Sequence, residues 1–157
     1  MPKPLAQSFV KALCAGIVAG VAGSLAKAAA EKIFPPRPEG AMSPPEQLVE
    51  RAQDATGAAL PEGAKDVAAH GMHWAFGAIT GGIYSVVAEY RPGATSWRGA
   101  VFGLTVNKLM HDGLLPRTGF VAPKEQQPFQ ERASEWVSHA VYGMATETAR
   151  RAIRKRL

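Results

Sequence analysis

The sequence predicts an all-α fold, a four-helix transmembrane bundle with a short amphipathic helix in its first connection. Three observations predict it. Four segments of helical residue types run without internal proline, small residues recur within them every fourth position, and the Lys and Arg excess falls where alternate segment ends would meet. At 157 residues the chain has room for one domain, residues 1–157, with spans at about 9–34, 67–90, 96–115 and 131–154.

Segment one, about Phe9 to Phe34, is apolar from Ala12 to Ala26, where Lys27 breaks the run. A cleaved leader is the competing reading, since Ala28, Ala29 and Ala30 are small. Lys27 just before them and the length of the segment argue against it. Segment two, Val67 to Tyr90, carries no Lys, Arg, Asp or Glu before Glu89. Its uncharged run of about 22 residues suffices for a hydrocarbon core of roughly 30 Å, which makes it the best single span.

Segment three, Ser96 to Leu115, is apolar only from Gly99 to Val106 before Asn107 and Lys108. Segment four, about Glu131 to Arg154, is apolar from Trp136 to Ala145 with His139 inside. Both insert only if their polar stripes face the bundle interior or a wet cavity. In the long first connection, Ser43-Pro44 followed by Glu46 reads as a capped start, with proline in the first turn, of a helix ending near Thr56. Leu48, Val49 and Ala52 form its apolar face, suited to the membrane interface or the top of the bundle. Arg91-Pro92-Gly93 turns the chain between segments two and three, and Pro116 to Pro128 separates three from four.

Composition alone does not choose the solvent: 46% of residues are hydrophobic, yet mean hydropathy is −0.07. Much of the apolar content is Ala and Gly, which close helix packing in lipid uses heavily. A soluble helical bundle is the alternative at the level of fold. The single Cys14 excludes an internal disulfide and reads as a small buried hydrophobe. The net charge of +5 is concentrated in Arg150, Arg151, Arg154, Lys155 and Arg156. No aromatics or recognition motif accompany that run, so it reads as a cytoplasmic stop and not as a nucleic-acid surface. Lys3, Lys11, Arg91 and Arg98 fall on the same side, which puts both termini inside and the first and third connections outside.

With that topology, each segment brings ionisable groups to its outer half. Lys27 and Glu31 come from segment one, His70 and His73 from two, Lys108, His111 and Asp112 from three, and Glu131, Glu135 and His139 from four. Glu89 and Glu147 alone lie toward the inner side. Charge in hydrocarbon costs roughly 2.5–3.5 kcal/mol per group at a helix centre. The convergence therefore predicts an inward-facing polar pocket of Lys27, Glu31, His73, His111, Glu135 and His139, open to the outside. The plainer reading is an intrahelical Lys27–Glu31 pair and three separate histidine hydrogen bonds.

Gly16/Gly20/Ser24, Gly77/Gly81 and Gly99/Gly103 form small-residue stripes, for contact within the chain or with a homo-oligomer or larger membrane complex. No His-Glu-x-x-His zinc helix occurs, and Glu135–His139 is one residue too far apart for a di-iron Glu-x-x-His pair. The expectation is a non-enzymatic accessory or structural protein in the lipid bilayer, with no cofactor. A proton or ion pathway, or a histidine-lined metal or haem site, is the alternative.

Four ordered patches carry a resemblance. They are Lys27-x-x-x-Glu31 leading to Pro35-Pro36-Arg37; His73-x-x-Phe76 leading to Tyr84 and Ala88-Glu89; Trp97-x-Gly99 leading to His111; and Ser134-Glu135-x-x-x-His139 leading to Glu147 and Arg150-Arg151. In that order the chain resembles the YagU-like family, small bacterial inner-membrane proteins without an assigned activity. It departs from the family pattern in being shorter and less hydrophobic, with a more polar third segment. The resemblance implies a multi-pass inner-membrane location and makes the outer side periplasmic.

Overall fold

The computed structural model describes residues 5–157, and every regular element among them is helical. The elements are α1 (Leu5–Ile33), α2 (Pro44–Thr56), α3 (Glu62–Tyr90), α4 (Ala100–Leu109), α5 (Leu115–Thr118) and α6 (Phe129–Arg154). A π-helical turn, Met110–Leu114, joins α4 to α5, so the third segment is one irregular rod from Ala100 to Thr118. It starts four residues later than the sequence pattern predicts. Ser96 is extended, and Trp97, Arg98 and Gly99 all adopt positive φ (50°, 54° and 90°), which no helix accommodates. It also runs through Pro116, which was expected to lie in the connection. A proline ring clashes with the carbonyl four residues back, here Asp112, and the wider π turn falls at that point.

The capped helix in the first connection forms as its sequence reads. The Glu46 carboxylate accepts from the Ser43 backbone N–H, and Gly57 ends α2 with a left-handed φ of 68°. Val49 buries its side chain, and Arg51 donates to the carbonyls of Thr118 and Gly119 while lying over the Phe120 ring. These contacts fasten α2 across the end of the bundle where α5 stops.

α1 packs against both α3 and α6, and α4 packs against α6. Direction follows from the pairing of positions. Gly16 meets Gly81 and Gly20 meets Gly77, so α1 and α3 are antiparallel; Gly99 meets Gly143 and Glu147 while Gly103 meets His139, so α4 and α6 are too. A Cβ on Gly81 would lie 2.6 Å from the Gly16 carbonyl oxygen, and one on Gly143 would lie 2.7 Å from the Gly103 nitrogen. The backbones touch, and only glycine permits it. The small-residue stripes expected as possible faces for a partner chain (Gly16, Gly20, Gly77, Gly81, Gly99 and Gly103) are thus covered within the chain.

Such close approach leaves little volume for large side chains between helices. The buried apolar residues are mostly alanines (Ala12, Ala15, Ala19, Ala69, Ala88 and Ala100), with Val49, Val106, Tyr84 and Tyr142, and the largest fully buried side chains are Glu147, Asn107, Thr146 and four serines. Bulky apolar residues point outward instead: Val18 is 59% exposed and Ile83 60%, with Leu25, Ile79, Val101 and Val137 also exposed. Cys14 belongs to this outward set and is exposed, contrary to the buried position its residue type suggests. The reason is helical phase: Ala12, Ala15 and Ala19 occupy the contact face of α1. Lys108 likewise lies on the exposed side of α4, not with the inward polar groups.

By length and composition, one described helix is apolar enough to cross a membrane, Gln7–Ile33, with mean hydropathy 1.8. The Val67–Tyr90 segment, expected to be the best single span, does not qualify, because its two histidines, its glycines, Trp74, Tyr84 and Tyr90 dilute Val and Ile.

Gly20→Leu should therefore lower stability in detergent by about 1–3 kcal/mol or more, since the new side chain meets the α3 backbone. Val18→Leu, on the exposed face one half-turn away, should change it little. Equal, mild shifts in the melting temperature of the two variants would contradict backbone contact at Gly20.

Candidate ligand site at one end of the bundle

A cavity of about 480 Å³ opens between α3 and the α4–π-turn rod, with α1 and α6 as its floor and α2 with residues 36–45 at its rim. Each helix contributes polar atoms because the chain alternates direction: the last turns of α1 and α4 lie beside the first turns of α3 and α6. Lys27, Glu31, His73, His111, Glu135 and His139 all line this cavity. The sequence-predicted set is brought together, though not in equal roles.

Glu135 is the hub. It is 3% exposed, and its Oε1 accepts from Arg37 Nη2 at 2.9 Å. Its Oε2 faces His111 Nε2 at 3.3 Å, His139 Nδ1 at 3.5 Å and Lys27 Nζ at 3.5 Å. Lys27 also pairs with Glu31, so the expected intrahelical pair exists but extends into a network that crosses from α1 to α6. Arg37 additionally reaches Glu131 at 3.5 Å, which draws Glu131 into the same network. A single buried charge among apolar helices is costly, and mutual pairing removes most of that cost.

The three histidines divide. His111 and His139 form an edge-to-face pair with ring centroids 5.1 Å apart. His139 Nδ1 lies 2.8 Å from the Glu135 carbonyl oxygen; a carbonyl only accepts, so Nδ1 carries the hydrogen. His73 lines the same cavity from α3, and its Nε2 is buried with no hydrogen-bond partner among the described residues. His70 sits at the rim, exposed, with its ring edge-on to Trp74. At the cavity wall, Tyr142 donates to the Gly77 carbonyl at 2.9 Å and meets Thr80 at 2.7 Å, tying α6 to α3.

A second polar cluster occupies the opposite end. Glu147, 1% exposed, accepts from Arg150 at 2.6 and 2.9 Å, from Tyr84 at 2.8 Å and from Arg151. Glu89 pairs with Arg154 and accepts from Ser8 at 2.6 Å. Much of the C-terminal basic run is therefore neutralised by internal carboxylates. Sequence reasoning missed this, although Glu147 with Arg150 and Arg151 at three- and four-residue spacing is a legible signal. It also left Arg37 out of the site, and no local pattern links Arg37 to Glu135.

The family model described as "Protein of unknown function (DUF1440)" matches residues 21–148. The chain belongs to this family. The DUF1440 match encloses all six residues of the sequence-predicted pocket together with Arg37. The chain is also similar to the inner membrane protein YagU of Escherichia coli (strain K12), at 28% identity over 170 residues, covering 90% of this chain and 83% of that protein. The YagU-like assignment made from the four ordered patches agrees with both findings. No solved structure matches this member of the DUF1440 family.

Replacing the hub tests the network. Glu135→Gln removes the carboxylate that Lys27 and Arg37 share, leaving each its second partner, Glu31 or Glu131, and should cost about 1–3 kcal/mol of unfolding free energy. Glu131→Gln, at the edge of the same network, should cost about 1 kcal/mol or less. Denaturant titration of both variants in detergent checks the ordering; equal costs would contradict the hub assignment.

Proposed function

We propose that this chain is a multi-pass inner-membrane protein with both termini in the cytoplasm. On this reading α1, α3, the α4–α5 rod and α6 each cross the bilayer, and the cavity around Glu135 opens to the periplasm. The protein acts as a non-enzymatic accessory subunit whose outer pocket holds a polar ligand.

One observation carries the reading: the distribution of residues is inverted relative to a water-soluble bundle. Charged and hydroxyl side chains are buried in paired clusters, while Val, Ile, Leu and aromatic side chains project from α1, α3, α4 and α6. In water an exterior of that kind would be a large exposed apolar surface, which monomeric soluble proteins rarely carry. Against lipid it is the favourable arrangement, and the interior must then satisfy its polar groups itself. Membership in a family whose relative YagU is an inner membrane protein supports the location. The apolar length of Gln7–Ile33 supports at least one crossing.

Orientation follows from Lys11, from the turn at Arg91 and Arg98, and from the basic tail, all at the end of the bundle away from the cavity. The accessory role rests on how the cavity groups are held. Its Lys, Arg and carboxylate groups bind one another across helices, an arrangement that fixes a pocket and leaves imidazole nitrogens as its free chemistry.

Cysteine labelling in intact cells tests topology and opening together. In a Cys14→Ser background, Ala41→Cys at the cavity rim should react with a membrane-impermeant maleimide added outside. Gly93→Cys, in the turn between α3 and α4 where a side chain meets open space, should react only after the membrane is broken. Reaction of Gly93→Cys in intact cells would contradict the orientation.

A further inference from the structure

We propose that His111, Glu135 and His139 form a three-ligand site for a divalent transition-metal ion of the zinc class, with an open coordination position facing the cavity. The inference rests on the cavity described above and names its ligand.

Geometry carries it. One ligand atom from each of the three side chains can be chosen so that all lie within 4.8 Å of one another. A tetrahedral zinc with bonds of about 2.0–2.1 Å sets its ligand atoms roughly 3.3–3.4 Å apart. His111 Nε2 and Glu135 Oε2 are separated by 3.3 Å, already at that spacing. The same distance is long for a charge-assisted hydrogen bond, which closes to about 2.7–2.9 Å. Glu135 Oε2 thus faces nitrogens at 3.3, 3.5 and 3.5 Å without a short bond to any of them.

The supporting contacts are those a metal ligand requires. The hydrogen on His139 Nδ1 goes to the Glu135 carbonyl at 2.8 Å, which leaves the lone pair of the neutral ring on Nε2 for coordination. Glu135 Oε1 is held by Arg37 at 2.9 Å, so Oε2 is the oxygen presented. His111 is placed by the π turn, whose extra residue shifts the register of the rod where it faces α6. An imidazole–carboxylate donor set suits zinc and its neighbours better than magnesium or calcium, which take oxygen ligands. The buried Nε2 of His73, without a partner among the described residues, belongs to a side chain that lines the same cavity.

Lys27 is the internal competitor. Its ammonium lies 3.5 Å from the same Oε2, but it is also paired with Glu31 and can retain that partner when a metal displaces it. Removing Lys27 should therefore strengthen metal binding, whereas in a purely structural ion-pair network it would only loosen the fold.

The test uses the full-length chain in detergent, stripped with a chelator and titrated with Co²⁺, whose visible absorption reports four-coordinate geometry. The expected result is an intense visible band that saturates at about one Co²⁺ per chain and is abolished by equimolar Zn²⁺. His111→Gln and His139→Gln should each weaken binding by about a hundredfold or more, with His70→Gln unchanged. Lys27→Met should tighten it about tenfold. Lack of a saturable band in the wild-type chain, a band insensitive to both histidine substitutions, or unchanged or weaker binding in Lys27→Met overturns the site. If either histidine variant does not fold, the wild-type band and the Lys27→Met shift decide alone. Cobalt binding without outside labelling of Ala41→Cys would refute the periplasmic opening and keep the metal site; labelling without cobalt binding would do the reverse.

Discussion

Backbone contact at glycine governs the rest of this molecule. Where Gly16 and Gly20 lie on Gly81 and Gly77, and Gly99 and Gly103 on Gly143, no space exists for a conventional core of Leu and Phe. Large apolar side chains must then radiate outward, and the interior is left to Ala, Ser, Thr and the polar groups each helix carries. Buried charges are costly alone, so the carboxylates among those groups pair within their own helix and across to neighbouring ones, while Asn107 and Thr146 lack a partner among the described residues. The Glu135 and Glu147 clusters follow from that requirement, and so does a surface suited to lipid.

The two clusters differ in chemistry. At the Glu147 end the partners are guanidinium groups and a tyrosine hydroxyl, which hold one permanent charge state and lock α6 to α3. At the Glu135 end the partners include two imidazoles, which can donate, accept or coordinate. Between them Phe102 stacks on Tyr84 at 4.1 Å and leans on Tyr142 at 5.6 Å, an aromatic layer that joins α4 to α3 and α6. One end is closed by fixed charges, and the other lines a cavity with imidazoles.

Much of this is legible in the sequence because it is written locally. Helix extents follow from proline-free segments, the α2 start from Ser43-Pro44 and Glu46, and the convergence of Lys27, His73, His111 and Glu135 from counting depth along alternating helices. What escapes is set by distant contacts. Arg37 joins Glu135 from a loop 98 residues away. Small-residue stripes show that helices will touch and not which helix touches which, so the same glycines read equally as an oligomer face. Cys14 points outward because phase along α1, not residue type, decides its side. The π turn at Met110–Leu114 leaves no residue signature beyond the proline that follows it.

The central claim is that apolar side chains at mid-bundle face hydrocarbon while the polar groups face each other. Spin labels placed singly at Val18, Ile83, Val101 and Val137 in a Cys14→Ser background, in reconstituted bilayers, measure it most directly. Collisions with molecular oxygen, which concentrates in lipid, should exceed collisions with a water-soluble nickel chelate at all four positions. Preferential collision with the nickel chelate on α3, α4 or α6 would show that those helices face water, and the account of a four-helix membrane bundle would fall.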